Sequence, residues 1–114
     1  MRALPYFRWF PADAETDNNY ASLSDKELGV FHRCLNRSWI NDGIPSDLNE
    51  LAATMKVSRG YLDRVWERVG RCFQLSDGGG AYRNRRQEEE RAHATAKSEQ
   101  ATDAIRKRHG YTTE

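Results

Sequence analysis

Between residues 59 and 86 seven arginines stand against three acids, a local balance of +4 within a chain whose overall charge is +1. Four of them, Arg59, Arg64, Arg68 and Arg71, follow Ser58 inside VSRGYLDRVWERVGRCF, residues 57 to 73. Projected at about 100° per residue, Leu62, Val65, Trp66 and Val69 fall on one side of a helix, and Gly60, Arg64, Glu67 and Arg71 fall opposite. Tyr61 and Arg68 lie beside that second face. Guanidinium groups so arranged suit phosphate oxygens and the acceptor edge of guanine. Ser58 and Arg59, with Gly60 and Tyr61, come at the start of the helix, where a recognition turn first meets phosphates and base edges. Glu67 is spaced to pair with Arg64 and Arg71, which offers the opposite reading, a solvated face that neutralises itself. Arg83, Arg85 and Arg86 supply a second basic element just after a glycine-rich stretch.

The remaining chemistry-bearing types form no set. Gly78, Gly79 and Gly80 are followed by no Lys-Ser/Thr pair, so they read as a hairpin tip rather than a phosphate loop. Glu90 and His93 have the spacing of a di-iron ligand pair, but such a site needs a second copy and further carboxylates. Glu88 to Glu90 read instead as acids favouring a helix N-terminus. His32 projects onto the edge of an apolar stripe as a packed core histidine, and His109 sits in a basic tail. Cys34 and Cys72 lie 38 positions apart without CxxC or Cys/His spacing, as expected of partly buried thiols in a reducing compartment. No nucleophile, base and orienter share a local signature. The expectation is a protein that is no enzyme and uses no cofactor or metal.

The elements that must carry these residues follow from periodicity. Residues 4 to 11, LPYFRWFP, crowd aromatics between prolines and suit an extended segment laid over a core, and residues 12 to 22 read as irregular. Ser24 to Glu27 form an S-x-x-E capping box that opens a helix with Leu28, Phe31, Leu35 and Trp39 as its stripe, ended by the NDG at 41 to 43. A short helix over SDLNELAATM follows, with Leu48, Leu51, Ala52 and Met55 inward. Lys56 and Val57 make a tight turn into the arginine-bearing helix capped by Ser58. Two helices so joined have the form of a helix-turn-helix, and FQLSDGGGAYRNR then reads as a β-hairpin. The fold class is therefore mainly α with a small hairpin: a winged helix-turn-helix domain over residues 1 to 86, followed by a charged, exposed helix or linker over 87 to 114. That tail is alanine-rich, has no apolar stripe, and ends in the basic RKRHG at 106 to 110.

Composition sets the remaining bounds. A chain of 114 residues fits one small domain that buries about two thirds of its unfolded surface. Its twelve aromatics, Trp9, Trp39 and Trp66 among them, lie within the first 82 residues apart from Tyr111, which places the core there. Residues 1 to 50 hold five Lys/Arg against eight Asp/Glu, so a nucleic-acid face belongs to the second half. No signal-like run or membrane-length apolar stretch is present, which leads us to expect a cytoplasmic protein with no membrane partner.

Three stretches, LPYFRWFPAD, LSDKELGVFHRCLNRSWINDGIPSD and LAATMKVSRGYLDRVWERVGRCFQLSDGGGAYRNRRQEEERA, together resemble the YdaU-like family of phage and prophage proteins, over roughly residues 4 to 94. The marks are the aromatic-Pro-x-Asp opening at Tyr6 to Asp13, the Leu-Ser and Glu-x-Gly helix start at Leu23 to Gly29, the Trp39 to Pro45 connection, and the arginine-rich strand running into Glu-Arg at 83 to 91. The resemblance implies a phage-borne winged helix associated with replication, as an initiator or a helicase loader in the host cytoplasm. Members usually continue into a longer C-terminal region, so an N-terminal domain or a short stand-alone protein is expected. DNA is then the expected partner, through Ser58, Arg59, Tyr61, Arg64, Arg68, Arg71 and the wing arginines Arg83, Arg85 and Arg86. The rival expectation is a phage accessory protein that docks on a host replication or defence protein through residues 87 to 114, and an exposed helix there also suits a homodimer.

Overall fold

The computed structural model describes residues 5–108, so Leu4, His109, Gly110, Tyr111 and the end of the basic RKRHG cluster lie outside the described residues. Residues 6 to 10 run without regular structure, as expected of a segment between two prolines. The following stretch does not stay irregular: it folds as α1 (Pro11–Thr16) and α2 (Asn18–Ala21). Pro11 enters at the first helical position, where a missing N–H costs nothing. The carboxylate of Asp17 accepts from the amides of Asn19 and Tyr20 at 2.8 and 3.2 Å and so starts α2. Neither helix buries a residue, which is why no apolar period announces them.

α3 (Asp25–Asn41) begins with the expected capping box, the Ser24 hydroxyl accepting from the Glu27 amide while the Glu27 carboxylate accepts from the Ser24 amide. It ends where Asp42 turns left-handed and Gly43 takes φ +123°, a conformation open only to glycine. Phe31, Leu35 and Trp39 of the expected stripe are buried, together with Val30, Cys34 and Ser38. β1 (Ile44–Pro45), α4 (Leu48–Met55) and α5 (Arg59–Val69) follow. A tight turn through Gly70–Cys72 leads to β2 (Gln74–Leu75) and β3 (Ala81–Arg83). The hairpin is present, and β1 adds a third antiparallel strand in the order β1-β3-β2, with Ile44 opposite Tyr82 and Leu75 opposite Tyr82 on the other side.

One core joins these pieces. Leu62, Val65, Trp66 and Val69 of α5 meet Val30, Phe31, Cys34 and Leu35 of α3 and Leu51 and Met55 of α4. The sheet is fastened to α5 through Trp66, stacked on Phe73 at 5.9 Å and edge-on to Tyr82 at 5.2 Å. Gly70 makes room for that indole, since a Cβ there would lie 2.8 Å from the Trp66 Nε1. Among the described residues, no helix is long and apolar enough to cross a membrane.

α6 (Arg85–Arg108) corrects two expectations. Arg85 and Arg86 belong to this helix and not to the hairpin, because Asn84 caps it: its Oδ1 accepts from the Gln87 amide at 3.1 Å. The first turns also bury one side of the helix. Gln87 is buried and donates from Nε2 to the Leu35 carbonyl at 2.8 Å. Arg91 donates to the Ser38 and Trp39 carbonyls at 3.2 and 3.3 Å and lies 4.6 Å over the Trp39 ring. Polar side chains thus dock α6 onto carbonyls in the last two turns of α3, which is why the contact leaves no apolar stripe in the sequence. From residue 96 onward the helix is exposed.

Replacing Gly70 with alanine should destabilise the fold by about 1–3 kcal/mol, read as a lower urea midpoint. Gly29→Ala, where an added Cβ meets nothing within 4 Å, is the control expected to leave the midpoint unchanged or raise it.

Candidate nucleic-acid interface

The turn before α5 is built by Lys56 in the left-handed region, with the Val57 amide donating back to the Ala52 carbonyl at 3.1 Å. Ser58 then caps α5, accepting from the Tyr61 amide at 3.1 Å, so its hydroxyl oxygen is engaged with the chain itself. Because Trp66 and its apolar neighbours face the core, Gly60, Asp63, Arg64, Glu67 and Arg68 are left exposed.

Arg59 is held by two partners, donating to Asp63 Oδ1 and to Asn49 Oδ1 of α4, both at 2.7 Å. Arg64 reaches back along the helix, its guanidinium 5.9 Å from the Tyr61 ring centre and its Nη1 3.8 Å from where a Cβ of Gly60 would stand. The expected neutralisation of Arg64 and Arg71 by Glu67 is not formed: among the described residues, Glu67 makes no ion pair within 4.0 Å. Arg68 instead turns toward the start of α3, donating to the Ser22 carbonyl at 3.4 Å and lying 4.0 Å from Glu27.

The wing side is less basic than its arginines suggest. Arg83 lies 3.4 Å from Asp42 and 3.9 Å from Glu88. Arg86 pairs with Asp13 at 2.9 Å. Arg85 has 85% of its side chain exposed and, among the described residues, meets only Glu89, at 3.8 Å. Arg71, Arg85 and Arg86 share the lining of a cavity of about 380 Å³ with Trp9, Phe10 and Tyr20. The nine expected contact residues therefore do not form one surface. Ser58, Arg59, Tyr61 and Arg64 gather at the N-terminal half of α5, and Arg71, Arg85 and Arg86 around the cavity. Arg68 and Arg83 are turned toward acids of other elements.

Two residues absent from the expected set join the α5 group. Lys26 and Arg33 of α3 line an open groove with Ser58, Val57 and Tyr61, and Arg33 donates to the Met55 carbonyl at 2.9 Å, fixing it beside the turn. Their signal is in the sequence: positions 26 and 33 lie about 20° apart in helical projection, and Arg37 falls within 20° of Lys26 on the other side. Attention to α5 alone misses it.

The N-terminal segment that walls the cavity is pinned at Arg8, which donates from Nε and Nη2 to both oxygens of Glu90 at 2.8 and 2.7 Å. These bonds hold the Glu90 carboxyl below its ordinary range and raise the Arg8 guanidinium. Glu90 is thus part of this clamp rather than of a metal pair. Beside it Phe7 packs on Trp39 at 5.4 Å. His32 is exposed and not a core histidine. It stands one position beyond Phe31, with Trp9 at 5.3 Å and Tyr20 at 6.0 Å against it, and burial against these rings lowers its pKa. Burial pushes the thiols of Cys34 and Cys72 up to about 12 and about 11, so neither is a nucleophile at neutral pH.

No protein-family model, no curated protein and no solved structure matches this chain.

A carboxyl with a depressed folded pKa stabilises the fold above its unfolded value, about 4.3 for Glu, and loses that contribution as pH falls toward the folded value. Glu90→Gln should therefore melt about 4 °C below the parent at pH 7. The gap should close between roughly pH 5 and 3. Thermal melts across that range check it.

Proposed function

We propose that the chain is a winged helix-turn-helix domain that binds duplex DNA, with the N-terminal half of α5 as its reading element. The observation that carries the reading is the pairing of an outward α5 face, opened by Ser58 and bearing Gly60 and Arg64, with Lys26 and Arg33 of α3 on its flank. The order helix, strand, helix, helix, hairpin and the sheet order β1-β3-β2 support the same reading, since a helix that follows a tight turn and keeps one face free is the docking geometry of this motif. Arg64 supplies a guanidinium for a base edge or phosphate, and Lys26 and Arg33 supply charges for the backbone. Arg59 and Asn49, locked together, present fixed donors beside them. A replication role in a phage or prophage, in the host cytoplasm, is the setting that the likeness to the YdaU-like family suggests for such a domain.

The α5 face carries Asp63 and Glu67 beside Arg59 and Arg64, so its own charge is balanced and the electrostatic term comes chiefly from α3. A shallow salt dependence follows, a slope of about −3 in log K against log salt for roughly three neutralised phosphates. A protein partner is the second reading, favoured by residues 96 to 108 of α6, all exposed and with Ile105 half open to solvent.

Fluorescence anisotropy with mixed-sequence duplexes tests the first reading. Lys26→Glu with Arg64→Glu should weaken binding at least tenfold at low salt and make the slope shallower by about two, with the melting temperature unchanged. Equal binding by the double variant would remove the α5 face from contention.

A further inference from the structure

The cavity behind the hairpin has a chemistry that duplex reading does not use. Its volume of about 380 Å³ lies at the low end of the roughly 300–1,000 Å³ of small-molecule sites, too small for a base pair. One wall is aromatic, from Trp9, Phe10 and Tyr20, and the rim carries Arg71 and Arg85. Trp9 remains 39% exposed although Tyr20 lies 5.6 Å from its ring. Phe10 already has the guanidiniums of Arg8 and Arg86 at 5.4 Å each, while Trp9, with His32 edge-on at 5.3 Å, keeps an exposed part of its indole on which a base can stack.

The charges sort in the same way. Both lining acids are engaged, Asp13 by Arg86 at 2.9 Å and Asp17 by the amides that open α2. Among the described residues, Arg71 has no acid within 4.0 Å of its guanidinium, and Arg85 meets only Glu89 on its own helix. An anion at the rim would thus meet uncommitted guanidinium. Amide groups complete the lining: Gln74 is exposed, and Asn19 donates to the Arg71 carbonyl at 3.3 Å while keeping its Oδ1 as an acceptor. The Arg8–Glu90 clamp and the packing of Phe7 on Trp39 hold the aromatic wall in place before any ligand arrives.

We propose that this cavity binds one nucleotide unit, with the base stacked on Trp9, its edge met by Asn19 and Gln74, and its phosphate held by Arg71 and Arg85. A stacking surface, amide edge groups and guanidiniums within one nucleoside-sized space are the elements by which unpaired nucleotides are bound. The shared chemistry is a base with a phosphate, whether free or within a single strand. The site stands apart from α5 and does not rest on duplex reading.

Tryptophan fluorescence of the full chain tests it, because Trp39 and Trp66 are buried and Trp9 is the indole a ligand can reach. Thymidine 5′-monophosphate should quench the emission saturably, and thymidine should bind about tenfold more weakly. Arg85→Glu, at an exposed position, should weaken the monophosphate about tenfold, as should Trp9→Ala read by calorimetry. Arg64→Glu should leave it unchanged, which separates this site from the α5 face. Tighter binding of a short oligothymidylate that competes with the monophosphate identifies a single strand as the source. Equal affinities identify the free nucleotide. No saturable binding of either probe at millimolar concentration, or binding unaffected by Arg85→Glu, overturns the proposal; should Trp9→Ala fail to fold, Arg85→Glu decides alone.

Discussion

Trp66 sets the orientation of everything on the outer surface. Its indole is stacked on Phe73 and edge-on to Tyr82, so one residue of α5 carries the strand that enters the hairpin and the strand that leaves it. Aromatic pairs of this kind add to the area they bury, and the position is tolerated only because residue 70 is glycine. With Trp66 inward, α5 cannot rotate about its axis. Arg64 and Glu67 must then face water, and Tyr61 and Arg68 must lean toward α3.

A second constraint ties the two ends of the domain to the end of α3. Over the last two turns of that helix α6 adds side-chain donors, Gln87 to the Leu35 carbonyl and Arg91 to those of Ser38 and Trp39. Glu90, between them, holds Arg8 and with it the N-terminal aromatics. The interface is polar, directional and short, which leaves the later turns of α6 free. It also explains the division of the arginines. Arg91 caps a helix, Arg8 clamps a strap, and Arg83 and Arg86 are paired with acids, whereas among the described residues Arg64 and Arg71 have no acid within 4.0 Å and Arg85 meets Glu89 of its own helix.

Much of this was legible in the amino-acid order because it rests on local rules. The capping box at Ser24, the cap at Ser58, the inward set Leu62, Val65, Trp66 and Val69, and the glycine hairpin tip each depend on neighbours a few positions away, and each stands where it was expected. What escaped depends on distance in the chain. Strand β1 is only Ile44–Pro45 and exists by pairing with Ala81 and Tyr82. α1 and α2 bury nothing and so show no period. Charge counts placed Arg83, Arg85 and Arg86 in one basic patch because counting cannot tell that Asp13, Asp42 and Glu88 come alongside. The cavity is the extreme case, assembled from four stretches of chain between residues 9 and 86, with no motif in any of them.

Two surfaces with different chemistry result: a helix face flanked by lysine and arginine, proposed for duplex DNA, and an aromatic cavity rimmed by arginine. Duplex DNA is proposed to meet the first. Amide chemical-shift mapping during titration with a short duplex addresses it residue by residue. Shifts should concentrate at residues 57 to 64 and 26 to 33. Shifts confined to residues 96 to 108, or absent altogether at saturating duplex, would contradict it.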